Sequence, residues 1–135
     1  MEKKLEFNTK QGKTLKVGLE INYYANNRCI YIGLTTGSGE SLQLYADVTV
    51  NLAGKAPDYC GYLNTNNLPE LKEFIETNGI GEFTGLTRQS GFCEYPLYLF
   101  QVDRLRELCL NGILVYEKGI GKVNKEKKEE KSKNR

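Results

Sequence analysis

Between Thr84 and Phe100 the chain reads TGLTRQSGFCEYPLYLF, which sets an arginine, an amide, a hydroxyl and a thiol within six positions, Arg88 to Cys93. Gly85 and Gly91 flank them. Arg88 offers a planar fork of donors that fits a carboxylate or a phosphate. Gln89 and Ser90 add small groups that can donate or accept. Cys93 has Glu94 beside it and no identifiable cation or helix N-terminus to favour the thiolate, so a nucleophilic role is not expected. The chemistry expected here is recognition, carried by Arg88, Gln89, Ser90, Phe92 and Tyr95, with Asn66 joining from the segment before the helix described below. Two other readings stand beside it. Arg88 could simply pair with Glu82 or Glu94 as a solvated loop residue, or act with one of them in an enzyme, which would require a concave pocket joining the two side chains.

The chain contains no histidine. This removes the Ser-His-Asp and Cys-His routes to an activated nucleophile and the commonest general base near neutral pH. No substitute signature is present, so no catalytic residue, cofactor or metal is expected. Cys29, Cys60, Cys93 and Cys109 are isolated, without the short spacings of structural zinc sites, and read as small hydrophobes. The Gly79–Gly91 stretch matches neither a Walker A loop nor a dinucleotide fingerprint.

The elements that must position these residues follow from periodicity. Residues 5–9 and 14–25 flank a turn at Lys10–Lys13, and Leu15, Val17, Leu19 and Ile21 alternate with polar residues or glycine, as in a strand buried on one face. Asn26-Asn27 marks a tight turn, followed by a third strand with Ile30, Ile32 and Leu34 on one side. In residues 41–52, Leu42, Leu44, Ala46, Val48 and Val50 predict a single fourth strand, and CGYLN a short one. The segment NNLPELKEFIETNG predicts a helix capped by Asn67 with Glu70 in capping-box spacing and stopped at Gly79. Leu68, Leu71, Phe74 and Ile75 form its apolar stripe.

Residues 79–91 are expected to form a glycine-rich linker, and residues 96–102 a returning strand with Pro96 at its start. Leu97 and Leu99 are assigned to the core side of that strand, so that Leu99→Ala would cost about 2–5 kcal/mol. Residues 103–112 predict a second helix with Asp103 as cap and Gly112 as stop, and ILVYE a last strand. The expected fold is α+β: an antiparallel sheet of about four to six strands with one or two helices packed on one face.

At 39% hydrophobic and 27% charged residues in 135 positions, one soluble domain is expected. It should span residues 1–117, with 118–135 a flexible, disordered tail. The tail holds eight Lys/Arg against three Glu, leaving 11 basic and 14 acidic side chains in a mildly acidic body. Such a tail suits weak, salt-sensitive contact with single-stranded nucleic acid and no sequence reading. The charged start MEKKLEFNTK lacks the apolar core of a signal peptide, and no run is long enough to span a membrane. A cytoplasmic setting is expected. Nine tyrosines supply area of the kind found at protein interfaces.

ADVTVNL (46–52), YLNTNNLPELKEFIETNGIGEFTG (62–85) and RQSGFCEYPLYLF (88–100) together resemble a domain-of-unknown-function family of small bacterial proteins carried on plasmids, conjugative elements and prophages. The resemblance covers roughly residues 14–102, so the segment from Asp103 onward reads as an addition. Asn64 stands where the family's pattern carries an acidic residue. The resemblance implies an accessory role for a mobile element. By analogy, the expected function is non-enzymatic binding of a host protein or nucleoprotein complex, as an anti-CRISPR-like inhibitor of a defence nuclease.

Overall fold

Alternation in the first third of the chain builds three strands, and a computed structural model, which describes residues 3–121, shows how they pair. β1 (Leu5–Asn8), β2 (Thr14–Tyr23), β3 (Ile30–Thr36) and β4 (Gln43–Asp47) form an antiparallel sheet in chain order. Leu19 lies opposite Leu34 and Ile21 opposite Ile32, so the aliphatic rows of neighbouring strands share the buried face. The β2–β3 turn does not place an asparagine in the left-handed region. Arg28 takes that conformation (φ 63°), with its guanidinium carbon 5.0 Å from the centre of the Tyr23 ring. Asn26 and Asn27 instead reach across to the Asn51 side chain, at 2.9 and 2.8 Å.

The single fourth strand expected over 41–52 is two strands. Register shifts by one between Leu34 and Thr35, pairing Thr35 with Leu44. A one-residue slip moves side chains to the opposite face, so Leu42 and Leu44 are exposed at 55% and 52%. At Val48 the chain leaves the first sheet. Its N–H donates to Ile32 O and its carbonyl accepts from Asn64 N–H, both at 2.8 Å. β5 (Thr49–Val50) then opens a second antiparallel sheet, completed by β6 (Cys60–Leu63), β7 (Gly81–Ser90) and β8 (Cys93–Phe100) in the order β5-β6-β8-β7. Asn64 is buried with both polar atoms of its amide bonded, Nδ2 donating to Asp47 O at 3.0 Å and Oδ1 accepting from Asn67 Nδ2 at 2.9 Å. A carboxylate there would lose the donor.

α1 (Leu71–Thr77) buries Leu71, Phe74 and Ile75. It begins later than its capping pattern implies, because Asn67 is occupied with Asn64 and Glu70 holds the cap position in helical geometry. Its end is as expected. Gly79 adopts φ 67°, and Ile80 N–H folds back to Ile75 O at 3.0 Å.

Beyond Gly79 the architecture departs from the sequence reading. The expected linker is the ten-residue strand β7. Pro96 lies inside β8, not at its start. Gln101 N–H donates to Ile80 O and Phe100 N–H to Tyr59 O, so odd-numbered β8 residues turn their main chain toward β7 and even-numbered ones away. By that alternation the N–H that Pro96 lacks faces away from β7, just beyond Leu97, the last β8 residue paired with β6. Tyr98 and Phe100, not Leu97 and Leu99, face the main core, and Leu99 is 38% exposed. Leu97 packs with Ala56 and Cys60 on the other side of the sheet.

The ILVYE segment is helical, and Asp103 lies within a helix that Gln101 caps. α2 (Val102–Leu108) breaks at Cys109 and α3 (Leu110–Gly119) continues through Gly112. Leu105, Leu108, Cys109, Ile113 and Tyr116 are all buried, the i, i+3, i+4 spacing of a helical face. Gly112 is a contact point: a Cβ there would lie 2.8 Å from Ile21 O. The class is α+β: the described residues form two four-stranded sheets and three α-helices around one principal core. Lys118 and Gly119 close α3, and the basic tail from Lys122 onward lies outside the described residues. Among those described, no helix is long and apolar enough to cross a membrane.

Candidate protein-interaction site

β7 and β8 form a hairpin whose end gathers the residues singled out in the sequence. Ser90 pairs with Cys93 across a two-residue loop. Gly91 at its first position has φ 63°, the requirement of a type II′ turn. The second loop residue, Phe92, is 106% exposed. Arg88 lies opposite Tyr95 on one face of the ladder, and Gln89 opposite Glu94 on the other. Asn66 approaches from the segment before α1 and donates from Nδ2 to Glu94 O at 3.1 Å. All six expected residues therefore meet at this hairpin end.

Arg88 has a different role from either carboxylate pairing. Its guanidinium donates to Ala53 O and so ties down the 51–59 loop. That loop crosses the outer face of the second sheet, where Ala56, Cys60, Leu97, Tyr62 and Cys29 make a small apolar cluster. Glu94 lies on the opposite face and accepts from Thr87 Oγ1 at 3.1 Å. Glu82 shares the Arg88 face but stands beyond a bulge between Phe83 and Thr87. Among the described residues neither forms an ion pair with the guanidinium. The Tyr95 hydroxyl is raised above its usual range, by burial first and then by Cys93.

The sequence reading missed Phe83 and Leu86. Both are exposed on β7, and the Phe83 ring centre lies 5.7 Å from that of Tyr98. They were hidden because four glycines made the segment read as linker. The available signal was the FTGLT stretch, which carries β-formers between the glycines.

Other polar clusters are internal supports. Glu117 is buried, yet it accepts from Tyr59 Oη at 2.5 Å and from Arg106 at 2.7 Å. Tyr116 Oη accepts the Tyr59 N–H at 2.9 Å. A buried carboxylate held this way is satisfied by its partners. Burial pushes the Tyr116 hydroxyl up to about 12 and raises Tyr59 too, with the Glu117 contact next. Burial also raises the Cys60 thiol, aided by Asp58. A cleft of about 340 Å³ between β2, α3 and Leu42 is mainly apolar. Its two lysines are engaged, Lys3 with Glu107 and Lys4 with Gly37 O. Among the described residues no cluster of His, Cys, Asp or Glu could hold a metal ion.

No curated protein and no solved structure matches this chain. A family model does match, over residues 18–120. It takes in α2 and α3, so the segment from Asp103 to Ile120 is part of the family domain and not an addition to it. The chain thus belongs to the family described as Domain of unknown function (DUF4313).

Proposed function

We propose that this protein is a non-catalytic binding module whose β7–β8 hairpin end engages another protein. One observation carries the reading: Phe92, an aromatic side chain, stands fully in solvent at the tip of a two-residue turn. Exposing that apolar area is unfavourable unless a partner covers it, and aromatic anchors of this kind dominate binding energy at interfaces. The hairpin is held in place by Arg88 on Ala53 O and by Asn66 on Glu94 O. Ordering it on binding therefore costs little. Gln89 and Ser90 supply a polar rim.

The resemblance to proteins of mobile elements supports a host defence nuclease, or its nucleoprotein complex, as the partner. The proposed setting is the cytoplasm and the proposed action is inhibition. The lysine-rich tail would add a weak, salt-sensitive contact to nucleic acid in such a complex.

The experiment is affinity capture from host lysate with the wild-type chain and with Phe92→Ser, alongside a plasmid-protection assay. Wild type should enrich a defence protein and protect. Phe92→Ser should lose about 2 kcal/mol or more of binding with an unchanged melting temperature. Capture that survives Phe92→Ser, or no defence protein enriched by the wild type, would overturn the proposal.

A further inference from the structure

β7 is the end strand of its sheet, so one side of its main chain has no strand partner among the described residues. Edge strands of this kind template pairing with another chain unless they are blunted. The β8 alternation given above tells which groups are open. Glu82 lies opposite Leu99, Arg88 opposite Tyr95 and Ser90 opposite Cys93. These odd-numbered β8 residues face β7, so Glu82, Arg88 and Ser90 turn their main chain inward. Phe83, Thr87 and Gln89 turn theirs outward to solvent. Three β7 residues, Thr84 to Leu86, oppose Leu97 alone, and this bulge divides the open edge into two short runs.

We infer that a second copy of this chain pairs with β7 antiparallel, about a two-fold axis through Gly85. Three features select this register. Phe83 of each copy falls opposite Thr87 of the other, matching outward main-chain groups with outward ones. The bulge lies on the axis, where the strands need not pair; Gly85 presents no side chain there, and a Cβ would meet open space. Glu82 of each copy falls opposite Arg88 of the other, and both side chains stand on the same face of the sheet. Among the described residues the Arg88 guanidinium bonds Ala53 O alone, so donors remain for a carboxylate. Like charges would oppose each other if Arg88 paired with its own copy, and the register avoids that. The exposed Leu86 side chains of both copies come close to the axis. Such an interface is isologous and closes at two chains.

This pairing goes beyond the tip contact and is separable from it. Sedimentation velocity over a concentration series should show wild type with twice the 15.3 kDa chain mass. Glu82→Arg places two arginines opposite each other at both ends of the interface, and should raise the dimer dissociation constant about tenfold or more. Glu82 makes no side-chain hydrogen bond or ion pair among the described residues, so this variant is expected to keep its fold. Arg88→Glu should do the same through paired glutamates. Mixing the Glu82→Arg chain with the Arg88→Glu chain opposes unlike charges at both ends and should restore a dimer. Thr87→Pro removes an outward N–H that β8 does not use and should also yield monomer. Glu82→Arg should still capture the tip partner, and Phe92→Ser should still dimerise, so either idea can fail alone. Monomeric wild type at every concentration, undiminished pairing in Glu82→Arg, or no recovery on mixing would overturn the inference.

Discussion

Replacing Gly112 by alanine tests whether the α3–β2 contact or helix propensity governs this part of the chain. Propensity predicts a gain, since Gly→Ala within a helix is worth about 1 kcal/mol. Packing predicts a loss. The new Cβ would stand 2.7 Å from Cys109 Sγ, 2.8 Å from Ile21 Cβ and 2.8 Å from Ile21 O. The sulfur can swing aside. The carbonyl oxygen cannot, because Ile21 is held in the ladder opposite Ile32. Helix and sheet must therefore separate by some tenths of an ångström over a buried seam that includes Ile113 and Tyr116. Overpacking of this kind costs about 1–3 kcal/mol, and a main-chain obstacle puts it at the upper end. After the propensity gain, the net loss is about 2 kcal/mol, or roughly 7–8 °C in melting temperature for a domain of this size. Thermal and urea unfolding of Gly112→Ala would measure it. Exposed Asn111→Ala is the control on the same helix, expected within about 0.5 kcal/mol. A Gly112→Ala chain as stable as wild type, or more so, refutes the reasoning.

Three further outcomes are expected. In urea titrations Phe100→Ala should cost about 3–5 kcal/mol and the half-exposed Leu99→Ala under about 1 kcal/mol; the reverse order would contradict the assignment of β8 faces. Arg88→Ala releases Ala53 O and should speed tryptic cleavage after Lys55 in the 51–59 loop, with little loss of stability; an unchanged cleavage rate would show that Arg88 does not hold that loop. Burial raises Tyr59, Tyr98 and Tyr116, the last to about 12, so the folded chain keeps protons that the unfolded chain releases near pH 10. Stability should be unaffected by these groups below about pH 10 and fall as pH climbs toward 12. Unfolding curves with tyrosinate absorbance would show it, and ionisation of every tyrosine near pH 10 without loss of stability would contradict it.

Local signals determined a good deal. The alternation of Leu15, Val17, Leu19 and Ile21 specified β2 as a strand with one buried face, because a two-residue period needs no knowledge of what covers it. Gly79 marked the end of α1, since a left-handed residue there is a local steric matter. The polar run Arg88–Ser90 beside Gly91 was legible as a cluster of recognition groups, and the fold gathers those residues at the hairpin end.

Tertiary structure decided what depends on distant partners. In β8, Leu97, Tyr98, Leu99 and Phe100 are all apolar, so periodicity cannot tell which face is inward; packing against α1 and the first sheet chose Tyr98 and Phe100. Leu42 and Leu44 continued a faultless alternation, yet a one-residue register shift on β3 turned them out to solvent. Gly112 looked like a helix stop because glycine is a poor helix former, while its value lies in the close approach of Ile21. That β7 is a strand, and an edge strand, follows from its pairing with β8 and the lack of any strand beyond it among the described residues. Glycines lower a segment's own preference for a strand, but a ladder of main-chain hydrogen bonds to a neighbour can impose one, and only the folded chain supplies that neighbour.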